Sequence, residues 1–317
     1  MIWRILRFIL AGLGWLALAA TAVAIWLHYN PSRGQTSLYA TALVPFAVIA
    51  GVAAVVVFAV LRHWVVLAVA VVVTMALCYT QIPLWRAQTA PAGERFTVVS
   101  ANLLYGQADV DVVARHVVDA DADLLSLQEV TPEALARVRA SAIARHMPYS
   151  YAIPMPLAGG SALFSTRPLT DTQEVDPTTV LHNLKARTDL PGAADTQVVA
   201  IHPGAPTPGH TGVWLREIDL LKNHLHALPR GRVIAVGDFN GTWDQVQYRA
   251  LLQNGFLDAT DQAGAGFSPS WPTDKTRNHP LMGIDHLISR GFVADSSTTF
   301  YIPGSDHRGL VVSLVAS

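Results

Sequence analysis

Six places along the 317-residue chain end an apolar run in residues able to bind a metal ion or move a proton. In order they are Asn102 after Thr97-Val98-Val99, Gln128-Glu129 after Leu124-Leu125-Ser126-Leu127, and His202 after Val198-Val199-Ala200-Ile201. Then come Gly237-Asp238-Phe239-Asn240 after Val233-Ile234-Ala235-Val236, Asp285-His286 after Ile284, and Ser305-Asp306-His307 before the last apolar run. Such groups are costly to desolvate unless they are paired or bind a metal. Six of them meeting at one rim would form a site of carboxylates, amides and imidazoles. Each also has an ordinary structural reading. Glu129 precedes Thr131-Pro132, a helix start, and Gly-Asp-x-Asn is common turn chemistry.

The elements that must position these residues begin at about Glu94. Phe96–Ala101 and Leu124–Gln128 read as strands, and further strands are expected at 161–165, 196–202, 232–236, 285–289 and 309–315. Val110, Val113, Ala114, Val117 and Val118 recur at helical spacing. Thr131 with Pro132 opens another helix, and a helix at about 212–228 carries Leu215, Ile218, Leu221, Leu225 and Leu228 on one stripe. Short strands alternating with amphipathic helices indicate an α/β domain. The segments 202–210 and 267–273, rich in proline and glycine, are expected as loops at the rim.

The ordered set Asn102, Gln128-Glu129, Gly160-Ser161-Ala162-Leu163-Phe164-Ser165 with Pro168-Leu169, His202, Gly237-Asp238-Phe239-Asn240, Asp285-His286 and Ser305-Asp306-His307 resembles the endonuclease/exonuclease/phosphatase superfamily over residues 95–316. The resemblance implies an α/β (α+β) fold, a four-layer α/β sandwich like that of deoxyribonuclease I. It also implies a metal-dependent phosphoester hydrolase. The membrane-type segment ahead of the domain is similar to bacterial envelope-anchored members.

Phosphoester hydrolysis needs a cation on the phosphate oxygens, an activated in-line water and a donor for the leaving oxygen. Glu129, a hard carboxylate, suits Mg²⁺, with Mn²⁺ as the alternative; by resemblance Asn102 and Asp306 complete or adjoin the metal site. The resemblance makes Asp238 the residue that orients or deprotonates water, and Asn240 a holder of that water or of a phosphate oxygen. His307 is expected at the scissile phosphate with Asp285 orienting its ring, a pairing that fixes a tautomer and raises the imidazole pKa. His202 matches the family's second imidazole, which binds phosphate or protonates the leaving group. Strand alternation turns His286 to the opposite face from Asp285, so it and Ser305 are expected as supports. Leu104 stands where the family's repair nucleases carry an acid, which disfavours an abasic-site endonuclease.

Charge divides the chain. Residues 1–86 contain Arg4, Arg7, Arg33, Arg62 and Arg86 but no Lys and no acid. The remaining 17 of 22 basic residues stand against all 23 acidic ones, a formal −6 for residues 87–317. Only 14% of the chain is charged, well below the quarter usual in soluble domains. Apolar stretches at about 5–28, 39–61 and 64–84 each approach the roughly 20 residues that cross a bilayer. Residues 1–86 therefore read as a membrane anchor of three transmembrane helices, 87–94 as a linker and 95–317 as the catalytic domain. The first stretch, led by Arg4 and Arg7, also fits a cleaved signal peptide. Arg4, Arg7 and Arg62 against Arg33 and Arg86 place the catalytic domain outside the cytoplasm under either reading. Cys78 is the single cysteine, which excludes an internal disulfide and a Cys-based zinc site.

These features make the expected protein a multi-pass cell-membrane phosphodiesterase or phosphomonoesterase, partnered with the lipid bilayer through its N-terminal helices, with a lipid headgroup as the favoured substrate. A nuclease acting on DNA or RNA outside the cell is the alternative, weakened by the −6 charge because nucleic-acid binders cluster Lys and Arg. A non-catalytic envelope receptor on the same fold is the second alternative. Nothing in the sequence indicates a protein partner.

Overall fold

The computed structural model describes residues 2–317, which divide into two compact units. The first consists of residues 2–83 with Trp243–Val246 and the second of residues 84–242 with 247–317.

In the first unit the helices are α1 (Ile2–Tyr29), α2 (Gln35–Ala42), α3 (Ala47–Leu61) and α4 (Trp64–Gln81). Three helical stretches, Ile2–Tyr29, Val44–Leu61 and Trp64–Trp85, are long and apolar enough to cross a membrane. The stretch expected at 39–61 is broken, because the chain changes to a 3-10 turn at Val44–Phe46. Pro45 has no N–H to continue the α-helical ladder and its ring crowds the preceding turn. Close packing relies on small residues: a Cβ on Gly14 would meet Val57 Cγ1 at 2.8 Å, and one on Gly51 would meet Thr74 Oγ1 at 2.7 Å. Large apolar side chains such as Trp3, Phe8, Leu16, Val60 and Val65 face outward. The sole acid of this unit, Asp244, is buried and its Oδ1 accepts from Gln81 Nε2 at 2.9 Å and pairs with His28 Nδ1 at 2.6 Å.

The second unit runs β1 (Arg95–Asn102), α5 (Val110–Asp119), β2 (Leu124–Gln128), α6 (Pro132–Ala140), α7 (Ala142–His146), β3 (Tyr149–Ile153), β4 (Ser161–Ser165) and β5 (Thr170–Glu174). It continues with β6 (Leu184–Leu190), β7 (Ala193–Ile201), α8 (Thr211–Ala227), β8 (Val233–Asp238) and α9 (Val246–Arg249), whose first residue belongs to the helical unit. The last elements are β9 (Leu257–Asp258), α10 (Ala259–Ala263), β10 (Asp285–Arg290), β11 (Phe292–Tyr301) and β12 (Arg308–Ala316).

Two mixed six-stranded sheets form, ordered β11-β12-β1-β2-β4-β3 and β5-β6-β7-β8-β10-β9. Alternation along the strands explains their stacking. Phe96, Val98, Leu124 and Leu163 of the first sheet share one buried cluster with Leu184, Val198, Ile234, Val236 and Leu287 of the second. The opposite face of the first sheet, carrying Val99, Ala101, Leu125, Leu127 and Phe164, packs with the apolar stripes of α5, α6 and α7. Outward-facing Val199, Ile201, Val233 and Ala235 of the second sheet are buried as well.

Helix starts follow the sequence. Thr131 Oγ1 accepts from Ala134 N–H at 3.2 Å with Pro132 in the first turn, and Asp109 caps α5. Two helical stripes differ in detail from expectation. Val118 is exposed, since Val110, Val113, Ala114 and Val117 already fill the buried arc of α5. On α8 the buried line is Trp214, Glu217, Ile218, Leu221 and Leu225, while Leu215 and Leu228 are half-buried.

Candidate active site

Register brings the polar residues together. β1 and β2 are parallel with Asn102 opposite Gln128, and β7 and β8 are parallel with Ile201 opposite Gly237. Their C-terminal ends therefore reach one edge of the stacked sheets, where open α/β folds place ligands. β10 runs antiparallel to β8 with Asp285 opposite Asp238, so its first residue arrives at the same edge. Ser305-Asp306-His307 joins them because Ser305 Oγ donates to Asn102 O at 2.8 Å and accepts from His307 N–H at 3.0 Å.

Asp238 lies at the meeting point and is buried. Its Oδ1 accepts from Asn240 N–H at 2.8 Å. Its Oδ2 accepts from Asn102 Nδ2 at 3.1 Å and lies 3.6 Å from His307 Nε2 and 3.8 Å from His202 Nε2. The same Asn102 amide reaches Glu129 Oε1 at 3.2 Å, while Glu129 Oε2 accepts from Tyr105 N–H at 2.7 Å. His307 Nδ1 hydrogen-bonds Asp285 Oδ2 at 2.8 Å, and its Nε2 is 3.8 Å from Asp306 Oδ1. Glu129 and Asn240 both hold left-handed backbone, φ 57° and 50°. Non-glycine residues bear such strain where the surroundings fix them, often at functional sites. Gly237, at φ 150°, has no room for a side chain, since a Cβ would lie 2.1 Å from Ile201 O.

The electrostatics separate the titratable groups. Burial, reinforced by Asp285, pushes the Asp238 carboxyl up to about 7 against the lowering effect of His307. Burial alone would push the His307 imidazole down, but Asp285 and Asp238 outweigh it and hold it at about 10. Burial and the neighbouring His307 push His202 down to about 3, so its ring is neutral. Burial raises the Glu129 carboxyl, partly offset by the Tyr105 N–H and the Asn102 amide.

The expected supports stand behind this set. His286 bonds Asp258 Oδ2 through Nδ1 at 3.1 Å and Gly241 O through Nε2 at 3.0 Å, and Tyr248 Oη donates to the same Asp258 oxygen. The loop expected at 267–273 is tied to the rim: Ser270 Oγ accepts from Asp285 N–H at 3.2 Å, and Trp271 Nε1 donates to Asp306 Oδ2 at 2.9 Å. Behind Asp258, burial and that neighbouring carboxylate push Asp261 up to about 9, and its buried Oδ1 has no hydrogen-bond partner among the described residues. A carboxyl raised in the folded state stabilises the fold below its ordinary pKa, and that stability is lost as pH rises toward 9. Asp261→Asn in the full-length protein is therefore expected to raise Tm by roughly 5 °C at pH 8 and to leave it unchanged near pH 3.5. Thermal melts at both values check this, and an equal gain at both pH values would contradict it.

A hard divalent cation suits the oxygen donors of Glu129, Asn102 and Asp306. Asp306 Oδ1 is buried and lacks a hydrogen-bond partner among the described residues, an acceptor left for a cation. A second set, Asp238, Asp285 and His307, also brings ligand atoms within 4.8 Å of one another. The carboxylates of Asp285 and Asp238 hold the His307 ring protonated, so neither ring nitrogen has a lone pair for a metal, and the Glu129 set fits the cation better.

Comparison with known proteins agrees with this geometry. The model of the Endonuclease/Exonuclease/phosphatase family matches residues 99–307. The chain belongs to that family. Its members are metal-dependent phosphoester hydrolases, and this chain is an enzyme of that class. Solved structures share the fold at low identity. A Danio rerio TDP2 complexed with single-strand DNA product has TM-score 0.57 and 15% identity, covering 70% of this chain and 99% of its own. An endonuclease/exonuclease/phosphatase from Beutenbergia cavernae has TM-score 0.55 and 18% identity, covering 71% and 72%. Beta toxin from Staphylococcus aureus has TM-score 0.53 and 13% identity, covering 70% and 100%. No curated protein matches the chain.

Two buried residues beside the site escaped sequence reading. Asn183 and Glu217 are both fully buried, and each binds backbone next to His202. Glu217 had a signal, an acid three residues after Trp214 and four before Leu221 on a helix otherwise apolar along that line. Asn183 had none, lying between loop and strand with no motif around it.

Proposed function

We propose that this chain is a membrane-anchored, Mg²⁺-dependent phosphoesterase that hydrolyses a phosphodiester or phosphomonoester outside the cytoplasm, with a lipid headgroup as the favoured substrate. The observation that carries it is the placing of Asp238 Oδ2 among Asn102, His202 and His307, with Glu129 on the same Asn102 amide. Glu129, Asn102 and Asp306 would hold the cation, which supplies charge neutralisation at the phosphate oxygens. Asp238 takes the proton of the attacking water, with its other oxygen fixed by Asn240 N–H. Asn240 spends one amide hydrogen on Pro203 O at 3.0 Å and keeps the second for a phosphate oxygen. His307, held protonated by Asp285, donates to the phosphate and is the proton source for the leaving oxygen. Neutral His202 offers an N–H to a phosphate oxygen, which favours phosphate binding over leaving-group protonation for this ring.

Three observations support a lipid. Three helical stretches long and apolar enough to cross a membrane would keep the catalytic unit tethered to a bilayer. The −6 charge is poor for a polyanion. The most exposed aliphatic side chains of the catalytic unit, Leu157 (71%) and Val180 (61%), lie on loops joined beside His202 by the His182 N–H to Gly159 O bond. The nuclease reading is favoured by the likeness to the TDP2 structure complexed with single-strand DNA product. Full-length protein with Mg²⁺ is expected to release headgroup phosphate from phospholipid vesicles faster than it nicks plasmid DNA. The reverse order would establish the nuclease, and no hydrolysis of either would refute the reading. A reporter fused after Ser317 is expected to score as extracytoplasmic.

A further inference from the structure

Among the described residues the His202 ring has no hydrogen bond of its own to hold it: Nδ1 is buried without a partner and Nε2 lies 3.8 Å from Asp238 Oδ2. Its backbone, by contrast, is fixed at every bonding group from His202 N–H to Gly204 N–H. His202 N–H donates to Asn183 Oδ1 at 2.6 Å, and Asn183 Nδ2 returns a bond to His202 O at 3.4 Å. Pro203 O accepts from Asn240 at 3.0 Å, and Gly204 N–H donates to Glu217 Oε2 at 2.8 Å. The other Glu217 oxygen accepts from Val180 N–H at 2.8 Å, three residues before Asn183. A carboxylate on the apolar line of a helix is costly to bury, and two charge-assisted N–H bonds offset that cost. The Arg216 guanidinium, 3.6 Å from Glu217 Oε1, adds a charge partner on the same helix.

We propose that Glu217, with Asn183, is a positioning residue for catalysis: it sets where the His202 ring stands by holding the 202–204 backbone, and touches no substrate itself. This rests on the phosphoesterase reading and on His202 facing the phosphate. A misplacement of about 1 Å in such a group costs on the order of a hundredfold in rate.

The test is a double-mutant cycle in the full-length protein with bis(p-nitrophenyl) phosphate and saturating Mg²⁺. Glu217→Gln, which puts an amide N–H against a backbone N–H, is expected to lower kcat by about 10- to 100-fold with KM within about twofold. In a His202→Ala background the same change is expected to cost less than about twofold, because two residues acting through one ring are not additive. An undiminished loss in that background, or no loss in the native one, would overturn the proposal. Asn183→Asp, which keeps the acceptor for His202 N–H and removes the donor to its carbonyl, repeats the cycle if Glu217→Gln does not fold. Native turnover by His202→Ala would remove the role of that ring and the inference with it, whereas no turnover of the probe by the unaltered protein would remove the phosphoesterase reading itself.

Discussion

Asp238→Asn is expected to lower kcat by about 10²- to 10⁴-fold, the range a positioned general base contributes, with the fold intact. The amide matches the carboxylate in shape but keeps one oxygen, so one of the two bonds, from Asn240 N–H or from Asn102 Nδ2, is lost. The variant cannot accept a proton from water at any pH. Asp238 also fixes the pH profile. Its carboxyl, raised to about 7, must be ionised to act, so activity rises as pH climbs through that region. A nearby cation stabilises the carboxylate and moves this limb down, which makes about 7 its upper bound. Initial-rate profiles with and without the substitution check both statements, and near-native turnover by Asp238→Asn would refute the role.

His307→Ala is expected to cost about 10²- to 10³-fold in kcat, comparable to removing one preorganised donor to a developing oxyanion. The ring is held protonated between Asp285 and Asp238, up to about 10, so its positive charge is present across the neutral range. Activity therefore falls on the alkaline side as this proton is lost, at about 10 or below. The descending limb should disappear in His307→Ala, whereas a persisting limb would assign it to another group. Asp285→Asn is expected to act in the same direction but less, since it removes the charge that holds the ring protonated while its amide oxygen can still accept from Nδ1.

Much of this arrangement was legible in the order of residues. Each strand that enters the rim carries an apolar run that gives way to polar residues at or just past its end, and that change of character marks Asn102, Glu129, His202 and Asp238. The three apolar stretches were equally plain, apart from the interruption at Pro45. Other parts left weaker marks. β5, Thr170–Glu174, is a polar edge strand without hydrophobic alternation, and so gives no period to detect. β6, Leu184–Leu190, does alternate buried and partly exposed residues, but its charged outward positions disguise it as loop. Glu217 and Asn183 act on backbone groups, and backbone partners leave no pattern in side-chain spacing. The apolar line of α8 also shifted toward Trp214 and Glu217, because a helix in contact with a sheet buries the face that also satisfies its neighbours' N–H groups.

The central claim is that side chains from six separated segments converge on a divalent ion and a phosphoester. Calorimetric titration of the full-length protein with Mg²⁺, beside the Glu129→Ala variant, tests it most directly. The account predicts saturable binding by the native chain and at least a tenfold weaker affinity in the variant, with hydrolysis falling in parallel. Unchanged Mg²⁺ affinity after loss of the Glu129 carboxylate would contradict it.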